Sequence, residues 1–104
     1  VGDSVLGYRA HMGAGSITSN VKSDRTLVQV RDGDERIATG RRKFGAVIAD
    51  LAEIGCNAVL NPGTIVERGS IVYPVTCVRG VVPEHCICKT GGVIVPRRGD
   101  TAEK

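Results

Sequence analysis

The sequence has 104 residues, of which 3% are aromatic and none is tryptophan, and its formal net charge is +3. This length allows a single domain. The small net charge and the scarcity of aromatic rings argue against a nucleic-acid partner, which would need cationic side chains for phosphates and rings for base stacking. No apolar run approaches the roughly 20 residues that cross a bilayer, so no membrane association is expected.

A weak six-residue rhythm opens the chain. Leu6 and Met12 stand six residues apart, and Thr18 would begin a third hexad. The fifth position of the two complete hexads is small, with Ala10 and Ser16. Val1 lies five residues before Leu6, a slip of one, and so enters in mid-pattern. We therefore expect the chain to be a piece of a longer protein.

The rhythm is interrupted between Asn20 and about Lys43. Apolar residues at Leu27, Val28, Val30 and Ile37 flank the stretch Asp-Gly-Asp at 32–34. Asp-Gly between two β-prone segments is a hairpin signal. We predict a two-stranded excursion over residues 25–40, within an insertion spanning 21–42. An insertion that a regular repeat does not need is usually functional or a partner contact, and a plain surface loop is the alternative.

The basic run Arg41-Arg42-Lys43 directly follows the predicted hairpin. Two interpretations stay open for it. The three cations are either solvated surface charges or an anion-binding corner that faces a phosphorylated ligand.

The six-residue rhythm returns from residue 48 to residue 83. The first position of each hexad is a branched aliphatic: Ile48, Ile54, Leu60, Val66, Val72 and Val78. The fifth position is small: Ala52, Ala58, Thr64, Ser70, Thr76 and Val82. A helix repeats near 3.6 residues and a half-buried strand near 2, so neither explains this period.

A three-sided coil explains the period. If each hexad makes one short strand and a corner, three hexads close one coil, and stacked coils pair as parallel strands. We expect about three coils in an all-β parallel β-helix, with first-position aliphatics pointing inward. Corner residues with positive φ are expected at Gly55, Gly63 and Gly69, and Asn57 and Asn61 also suit corners. Gly13 and Gly15 are likewise interpreted as corner residues. A βαβ domain is the rival, but no stretch holds a helical period.

The cysteines and histidines do not predict a metal site. Four cysteines occur without a CxxC pair or secretory signal, so reduced thiols are expected. Cys86 and Cys88 beside His85 give three potential ligands, one short of a zinc shell. We therefore expect no metal, and we interpret His85 as part of a terminal turn.

With these residues in view, the chain resembles a known family. The stretches VGDSVLGYRAHMGAGSITSN and KFGAVIADLAEIGCNAVLNPGTIVERGSIVYPVTCVRGVVPE, separated by the insertion, are similar to hexapeptide-repeat left-handed β-helix transferases. The resemblance extends to the acetyltransferase domain of the bifunctional enzyme that makes UDP-N-acetylglucosamine, and to UDP-N-acetylglucosamine pyrophosphorylase-related proteins. It covers about residues 1–90, which we expect to form one left-handed β-helix domain, with 91–104 as a C-terminal tail.

The resemblance implies an acyl-CoA-dependent acyltransferase acting on a sugar phosphate or nucleotide sugar. It also implies a cytoplasmic homotrimer with active sites in clefts between copies, and acyl-CoA bound along the outside of the coils. In such enzymes a base removes a proton from the acceptor, and hydrogen-bond donors stabilise the oxyanion.

The same resemblance assigns roles to individual residues. Ala14 and Asn20 match positions that contact acetyl-CoA, and Cys56 and Pro74 replace small residues on the path of the CoA. His11 matches a sugar-binding position that is Asn in the family and is also a weak candidate for catalysis. Lys43 matches a substrate-binding basic residue at the exit of the insertion. The alternative interpretations, in which no ligand is bound, are an exposed surface residue for His11, a corner cap for Asn20 and a packing anchor for Lys43.

The chain also departs from the family pattern. The general-base histidine of the family would precede Val1, and the aromatic residue expected after Asn20 is Val21. A C-terminal arginine has no match directly after Lys89, although Arg97 and Arg98 follow. These departures leave the catalytic residue unassigned.

Two other functions stay open at this point. The first is a non-catalytic trimerisation or regulatory module attached to a sugar-1-phosphate nucleotidyltransferase. The second is a zinc hydratase resembling the γ-carbonic anhydrases, which the two histidines of this chain make improbable because that site needs three. The sequence leaves the acceptor and the acyl donor undetermined.

Overall fold

A computed structural model describes residues 4–19, 28–32, 35–40 and 43–97, with only the backbone described at 31–32 and 35–38. Within these ranges the chain forms short β-strands and no helix. In chain order they are β1 (Val5–Leu6), β2 (His11–Met12), β3 (Ile17–Thr18), β4 (Gln29–Asp32), β5 (Glu35–Ala38), β6 (Val47–Ile48), β7 (Glu53–Ile54), β8 (Val59–Leu60), β9 (Ile65–Val66), β10 (Ile71–Val72), β11 (Cys77–Val78), β12 (Val81–Val82), β13 (Cys86–Cys88) and β14 (Ile94–Pro96).

Apart from β4 and β5, the strands form three sheets that face one another as the sides of a prism, and they are parallel throughout except that β14 pairs antiparallel with β13. Sheet 1 has the order β1-β6-β9-β12, sheet 2 the order β2-β7-β10-β13-β14, and sheet 3 the order β3-β8-β11. Each successive trio of strands, one per sheet, makes one coil. One coil precedes the insertion, two complete coils follow it, and β12 and β13 begin a fourth. The prediction of about three parallel coils is confirmed.

The first hexad positions fill the interior of the prism. Ile54, Leu60 and Val72 are 0–1% exposed, and Ile48, Val66 and Val78 are equally enclosed at 0–3%. The parallel register aligns these residues between coils, so that Ile54 lies between Met12 and Val72. Because the two residues of each strand point to opposite faces, one hexad position is enough to build the core.

From Ala52 to Thr76 the small residues at the fifth position are buried as predicted, and their hydroxyls are satisfied by the backbone. Ala10 and Ser16 in the first coil are only half-buried. Thr64 donates to the carbonyl oxygens of Asn61 at 2.6 Å and Val78 at 3.2 Å. Ser70 donates to the Pro83 carbonyl oxygen. A hydroxyl is tolerated in this core because a backbone acceptor lies within reach at the corner.

The prediction for the last hexad is wrong. Val82 was assigned to the small fifth position, but it pairs with Val66 in the aliphatic column of sheet 1. The chain turns after Val78 with only Arg79 and Gly80, so β12 follows β11 without the usual corner. Gly80 makes this tight turn possible with a φ of 87°. The six-residue rhythm then resumes, and Cys88 stacks on Val72 and is 2% exposed.

The first coil is less enclosed than the prediction required. Leu6 was expected to point inward, yet it is 44% exposed. Its strand pairs with β6 on one side, and no strand of the described residues covers the other side. Met12 is only partly buried and packs against the core from the same outer rung. These side chains therefore lie at an open end of the aliphatic column.

The corners use left-handed backbone at fixed positions. Gly63 and Gly69 have φ of 85° and 68°, as predicted, but Gly55 does not have a positive φ. The left-handed residue of its corner is Asn57, with a φ of 57°. Gly55 is required for a different reason, because a Cβ there would lie 2.5 Å from the backbone nitrogen of Pro74. Asn61 acts through its side chain, whose amide nitrogen donates to the Val78 carbonyl oxygen at 3.0 Å.

The insertion forms the predicted hairpin. Strands β4 and β5 pair antiparallel, from Gln29 with Ala38 to Asp32 with Glu35. The base of the hairpin is closed by a backbone hydrogen bond from Thr39 N to the Val28 carbonyl oxygen at 3.1 Å. It packs against the prism at Gly63, where an added Cβ would lie 3.2 Å from Cγ1 of Val28, and Val28 is 0% exposed. The turn residues 33–34 and the entry residues 20–27 lie outside the described residues.

The core column yields a stability prediction. Ile54→Ala should lower the free energy of unfolding by about 2–5 kcal/mol, because it removes a buried side chain from the middle of the aliphatic column and leaves a cavity that the stacked coils cannot close. Ile17→Ala is the matched control, since Ile17 is 52% exposed on the outer face. It should cost no more than about 0.5 kcal/mol in the same urea titration. Equal losses would contradict the inward assignment.

A second prediction concerns the contact between hairpin and prism. Gly63 and Gly91 have similar positive φ, 85° and 88°. A Cβ on Gly63 would collide with the Gln29 carbonyl oxygen, whereas a Cβ on Gly91 meets nothing within 4 Å. Gly91→Ala should therefore cost only the conformational term of about 1–2 kcal/mol. Gly63→Ala should cost at least about 1 kcal/mol more, measured by thermal unfolding. Equal costs would mean that the base of the hairpin moves away from residue 63 without a loss of stability.

Candidate functional site

The corner between sheets 2 and 3, here called the second corner, contains three of the four residues expected to contact CoA. It is formed in successive coils by residues 13–15, 55–57 and 73–75. Ala14, Cys56 and Pro74 occupy the same place in each coil, and all three are exposed. Backbone hydrogen bonds fix their spacing, from Asn57 to the Ala14 carbonyl oxygen at 3.0 Å and from Val75 to the Cys56 carbonyl oxygen at 2.9 Å.

Glycines bring the coils together along this corner. A Cβ on Gly13 would lie 2.8 Å from the Cys56 backbone nitrogen, and a Cβ on Gly55 would lie only 2.5 Å from that of Pro74. The coils therefore approach as closely as their backbones permit. The line Ala14–Cys56–Pro74 is consequently an exposed surface, parallel to the prism axis, that carries no large side chain.

His11 lies on the strand that leads into the second corner. It is exposed on the outer face of β2, while its neighbour Met12 points inward. In the parallel register His11 is directly opposite Glu53 of β7, which is also exposed. Ala14 follows three residues after His11. The imidazole thus lies on the outer face of sheet 2, beside the Ala14 end of the Ala14–Cys56–Pro74 line.

Lys43 does not lie at this corner. Lys43 is exposed where the insertion returns to the prism, close to Gly45, whose carbonyl oxygen accepts from Gly63 at 2.8 Å. This is the corner between sheets 3 and 1, separated from Ala14 by the whole width of sheet 3. Asn20 lies outside the described residues, as do Arg41 and Arg42.

The remaining histidine and the core cysteine have structural surroundings. His85 occupies the corner between sheets 1 and 2 with a φ of 53° and covers Gly69, so it continues the stack rather than ending it in a terminal turn. Its Nε2 is 3.6 Å from a carboxylate oxygen of Glu84. Desolvation by burial raises the pKa of the Cys88 thiol, which makes this cysteine a poor nucleophile. Across the described ranges, no three His, Cys, Asp or Glu side chains gather as a metal site would require.

Sequence reasoning missed two features of this region. Glu53 was not singled out, because the insertion hides the coil register that sets it opposite His11. Tyr73 and Val75 were missed as well, although the hexad places them at the second corner once Val72 is assigned to the core. Val75 is 71% exposed and has a φ of 54°, an unfavourable conformation for a β-branched residue.

Sequence comparison finds similar regions in proteins that are named as bifunctional. The chain is 36% identical over 74 residues to a bifunctional sugar-1-phosphate nucleotidylyltransferase/acetyltransferase of Sulfurisphaera tokodaii, covering 71% of this chain and 18% of that protein. It is 31% identical over 99 residues to the bifunctional protein GlmU of Methanococcus vannielii, covering 94% of this chain and 24% of GlmU. The chain thus spans about a fifth to a quarter of these relatives. No model of a known protein family matches it.

Structure comparison supports the fold. The crystal structure of the polySia specific acetyltransferase NeuO superposes with a TM-score of 0.57 at 20% sequence identity, covering 97% of this chain and 57% of NeuO. Among the described residues, none forms a helix of the length and apolarity that crossing a membrane demands. The three parallel sheets, their hexad columns and these relatives agree. The chain carries the hexapeptide-repeat acetyltransferase region that it shares with GlmU and the bifunctional nucleotidylyltransferase/acetyltransferase, folded as a left-handed parallel β-helix.

Proposed function

We propose that the chain is the acyltransferase part of a larger cytoplasmic enzyme that transfers an acetyl or other acyl group from acyl-CoA to a sugar phosphate or nucleotide sugar. The observation that carries the proposal is the exposed line Ala14–Cys56–Pro74, in a region shared with proteins named as acetyltransferases. The acceptor class rests on the sugar-1-phosphate chemistry in the name of the Sulfurisphaera tokodaii relative. We retain 1–90 as the β-helix domain, with the insertion at 21–42 and the tail at 91–104.

In this proposal the line along the second corner receives acyl-CoA, whose thioester supplies the activated acyl group. Ala14, Cys56 and Pro74 contribute a smooth wall, and Asn20 contributes a polar group from the start of the insertion. His11 stands beside the wall on the acceptor side. Lys43 pairs with the phosphate of the acceptor, since an ammonium group is well suited to a phosphate.

The separation of Lys43 from the second corner favours a site assembled between copies. Within one chain, sheet 3 lies between Lys43 and the line of Ala14. A homotrimer of parallel prisms would bring different corners of neighbouring copies together. Apart from these corners, the outer face of sheet 1 offers a surface for contact between copies, because its outward column is apolar on every rung: Val5, Val47, Ile65 and Val81.

The alternative function is a non-catalytic trimerisation or regulatory module of a sugar-1-phosphate nucleotidyltransferase. It is favoured by the small share of the relatives that the chain covers, since the Sulfurisphaera tokodaii relative is named as a nucleotidylyltransferase as well as an acetyltransferase. Both functions predict a trimer, but only the first predicts acyl-CoA binding. Ligand binding therefore discriminates between them.

Binding of acetyl-CoA is the test of the proposal. The full-length protein should bind acetyl-CoA in isothermal titration calorimetry, and Ala14→Glu should weaken binding at least about tenfold, because a carboxylate on the line repels a polyanion and obstructs it. Tyr8→Glu is the control, since Tyr8 is 67% exposed at another corner of the same coil. It should change the affinity less than about twofold. Absence of heat at millimolar acetyl-CoA would favour the scaffold function.

The trimer generates a separate prediction. The full-length protein should elute with the mass of three chains in light-scattering chromatography, and Ile65→Asp should dissociate it, because a charge in the apolar column of sheet 1 would be buried unpaired. Val93→Asp makes the same apolar-to-acidic change at a residue that is 56% exposed and lies outside sheet 1 and the second corner, and it should leave the mass unchanged. A wild-type monomer, or a trimer that tolerates Ile65→Asp, would contradict this interface.

A further inference from the structure

Val75 has a backbone conformation that is unfavourable for its residue type. Among the described residues, five other than glycine have a positive φ, and Val75, at 54°, is the one that is β-branched. Two carbons on its Cβ crowd the backbone in this left-handed region. Its side chain is 71% exposed, so burial in the core does not offset the cost. Residues in such sparsely populated conformations cluster at ligand sites, where the side chain has a use outside the fold.

The same place in the two preceding coils holds residues that suit the left-handed conformation. Gly15 has a φ of 77° and Asn57 has a φ of 57°. Glycine and asparagine are the residues that adopt this region most readily. The second corner as such therefore does not require a branched side chain, and the fold does not explain why the third coil has valine there.

Val75 belongs to an apolar rung at one end of the Ala14–Cys56–Pro74 line. Tyr73, which is 38% exposed, and Pro74 precede it, and these three residues are here called the apolar step. Proline has no backbone N–H, so the tip of this rung offers no hydrogen-bond donor. The tips of the other two rungs do have an N–H, and within the described ranges neither Ala14 N nor Cys56 N donates to a protein group. The line thus changes along its length from backbone donors to apolar side chains.

A cation follows the apolar step on the next rung. Tyr73 N donates to the Cys88 carbonyl oxygen at 3.0 Å, which sets Lys89 on the rung after Tyr73. Lys89 is exposed, and its ammonium group forms no ion pair with any acidic side chain that the structure describes. On the other side of the apolar step, the exposed carboxylate of Glu53 lies on the strand that leads to Cys56. An anionic group of a ligand is therefore favoured beyond the apolar step and disfavoured before it.

We propose that Val75, together with Tyr73, binds the dimethyl carbon in the pantoyl unit of acyl-CoA, and that this contact determines the direction of the donor along the line. This inference rests on the proposed function. In acyl-CoA the thioester is followed by two amide groups, then by the dimethyl carbon and then by the diphosphate. The line offers partners in the same order, with N–H groups at Ala14 and Cys56, the apolar step, and Lys89. The thioester accordingly lies at the Ala14 end and the nucleotide at the Lys89 end.

Ligand binding gives the strained side chain its use. Contact between the Val75 methyl groups and the dimethyl carbon removes apolar surface of both partners from water. Threonine has the same branched shape and the same backbone strain, but it would place a hydroxyl against an apolar group. Asparagine would relax the backbone and lacks the methyl groups. Stability and affinity should therefore change in opposite directions when valine is replaced by asparagine, which a residue with a purely structural role would not show.

The first experiment measures acetyl-CoA binding by calorimetry and the thermal midpoint of the full-length protein. Val75→Thr should weaken binding at least about threefold without raising the midpoint. Val75→Asn should weaken binding at least about fivefold and raise the midpoint by at least about 2 °C. Arg9→Asn is the matched control, because Arg9 has a φ of 55° and is exposed at the corner between sheets 1 and 2. It should raise the midpoint in the same way and change the affinity less than about twofold.

The second experiment identifies the group that Val75 contacts and the direction of the donor. In the full-length protein with isotope-labelled valine methyl groups, nuclear Overhauser effects should connect Val75 with the dimethyl protons of acetyl-CoA. The spectrum of Val75→Thr, which lacks the Val75 signals, assigns them. Lys89→Gln should weaken acetyl-CoA binding at least about threefold at low salt and less at high salt, because salt screens an exposed charge.

The contrary outcomes are distinguishable. If the wild-type protein does not bind acetyl-CoA, the proposed function fails. If acetyl-CoA binds and Val75→Thr binds it equally well, or if the Overhauser effect is missing, this inference is overturned and the proposed function stands. Unchanged affinity in Lys89→Gln would reject the direction of the donor alone. A fall in the mass of Val75→Asn in light-scattering chromatography would assign Val75 to a contact between copies, which also overturns the inference.

Discussion

The structure depends on the hydrogen-bonded stacking of one coil on the next. Bonds such as Glu53 N to the Ser70 carbonyl oxygen and Val59 N to the Thr76 carbonyl oxygen, 2.8–2.9 Å long, join rungs that are otherwise only two residues wide. Because the pairing is parallel and in register, equivalent hexad positions fall directly above one another. Core, corners and outer columns all follow from this alignment. A short chain almost without aromatic residues obtains a dense core because branched aliphatics of similar size repeat at one spacing.

Most of this fold can be predicted from the sequence, since the period of six appears directly in the residues. The columns from Ile48 to Val78 and the hairpin around Asp32 were predictable because each rests on local pattern or turn chemistry. The place of Val82 was not predictable. A corner that is shorter by two residues moves this side chain from the small column to the aliphatic column, and the sequence pattern up to that point does not reveal the shortening. Gly55 shows a related limit. A glycine is needed at this position because the backbone of the next coil lies so close, and a rule based on neighbouring residues in the sequence cannot predict that contact.

The candidate site was predictable only in part. Ala14, Cys56 and Pro74 were named by resemblance. The hexad count places Cys56 and Pro74 at the same corner, because it runs unbroken through the second and third coils. The opposition of His11 and Glu53 could not be counted, because an insertion of unpredictable geometry separates their coils. Lys43 was expected near the same ligand, yet a single chain holds it at another corner. Contacts that depend on a neighbouring copy leave no periodic trace in one sequence.

The reversal of direction at β14 affects how the prism ends. Strands β10 and β13 run in the same sense, but β14 pairs with β13 antiparallel, and Arg97 ties it back through a 2.7 Å bond to the Gly69 carbonyl oxygen. A polypeptide that continued winding would present the same edge that every earlier rung presented, and another molecule could add to it indefinitely. The folded-back strand offers a mismatched edge on that side, with a proline in its last position. End-to-end fibre growth from this facet is thereby blocked by the chain itself.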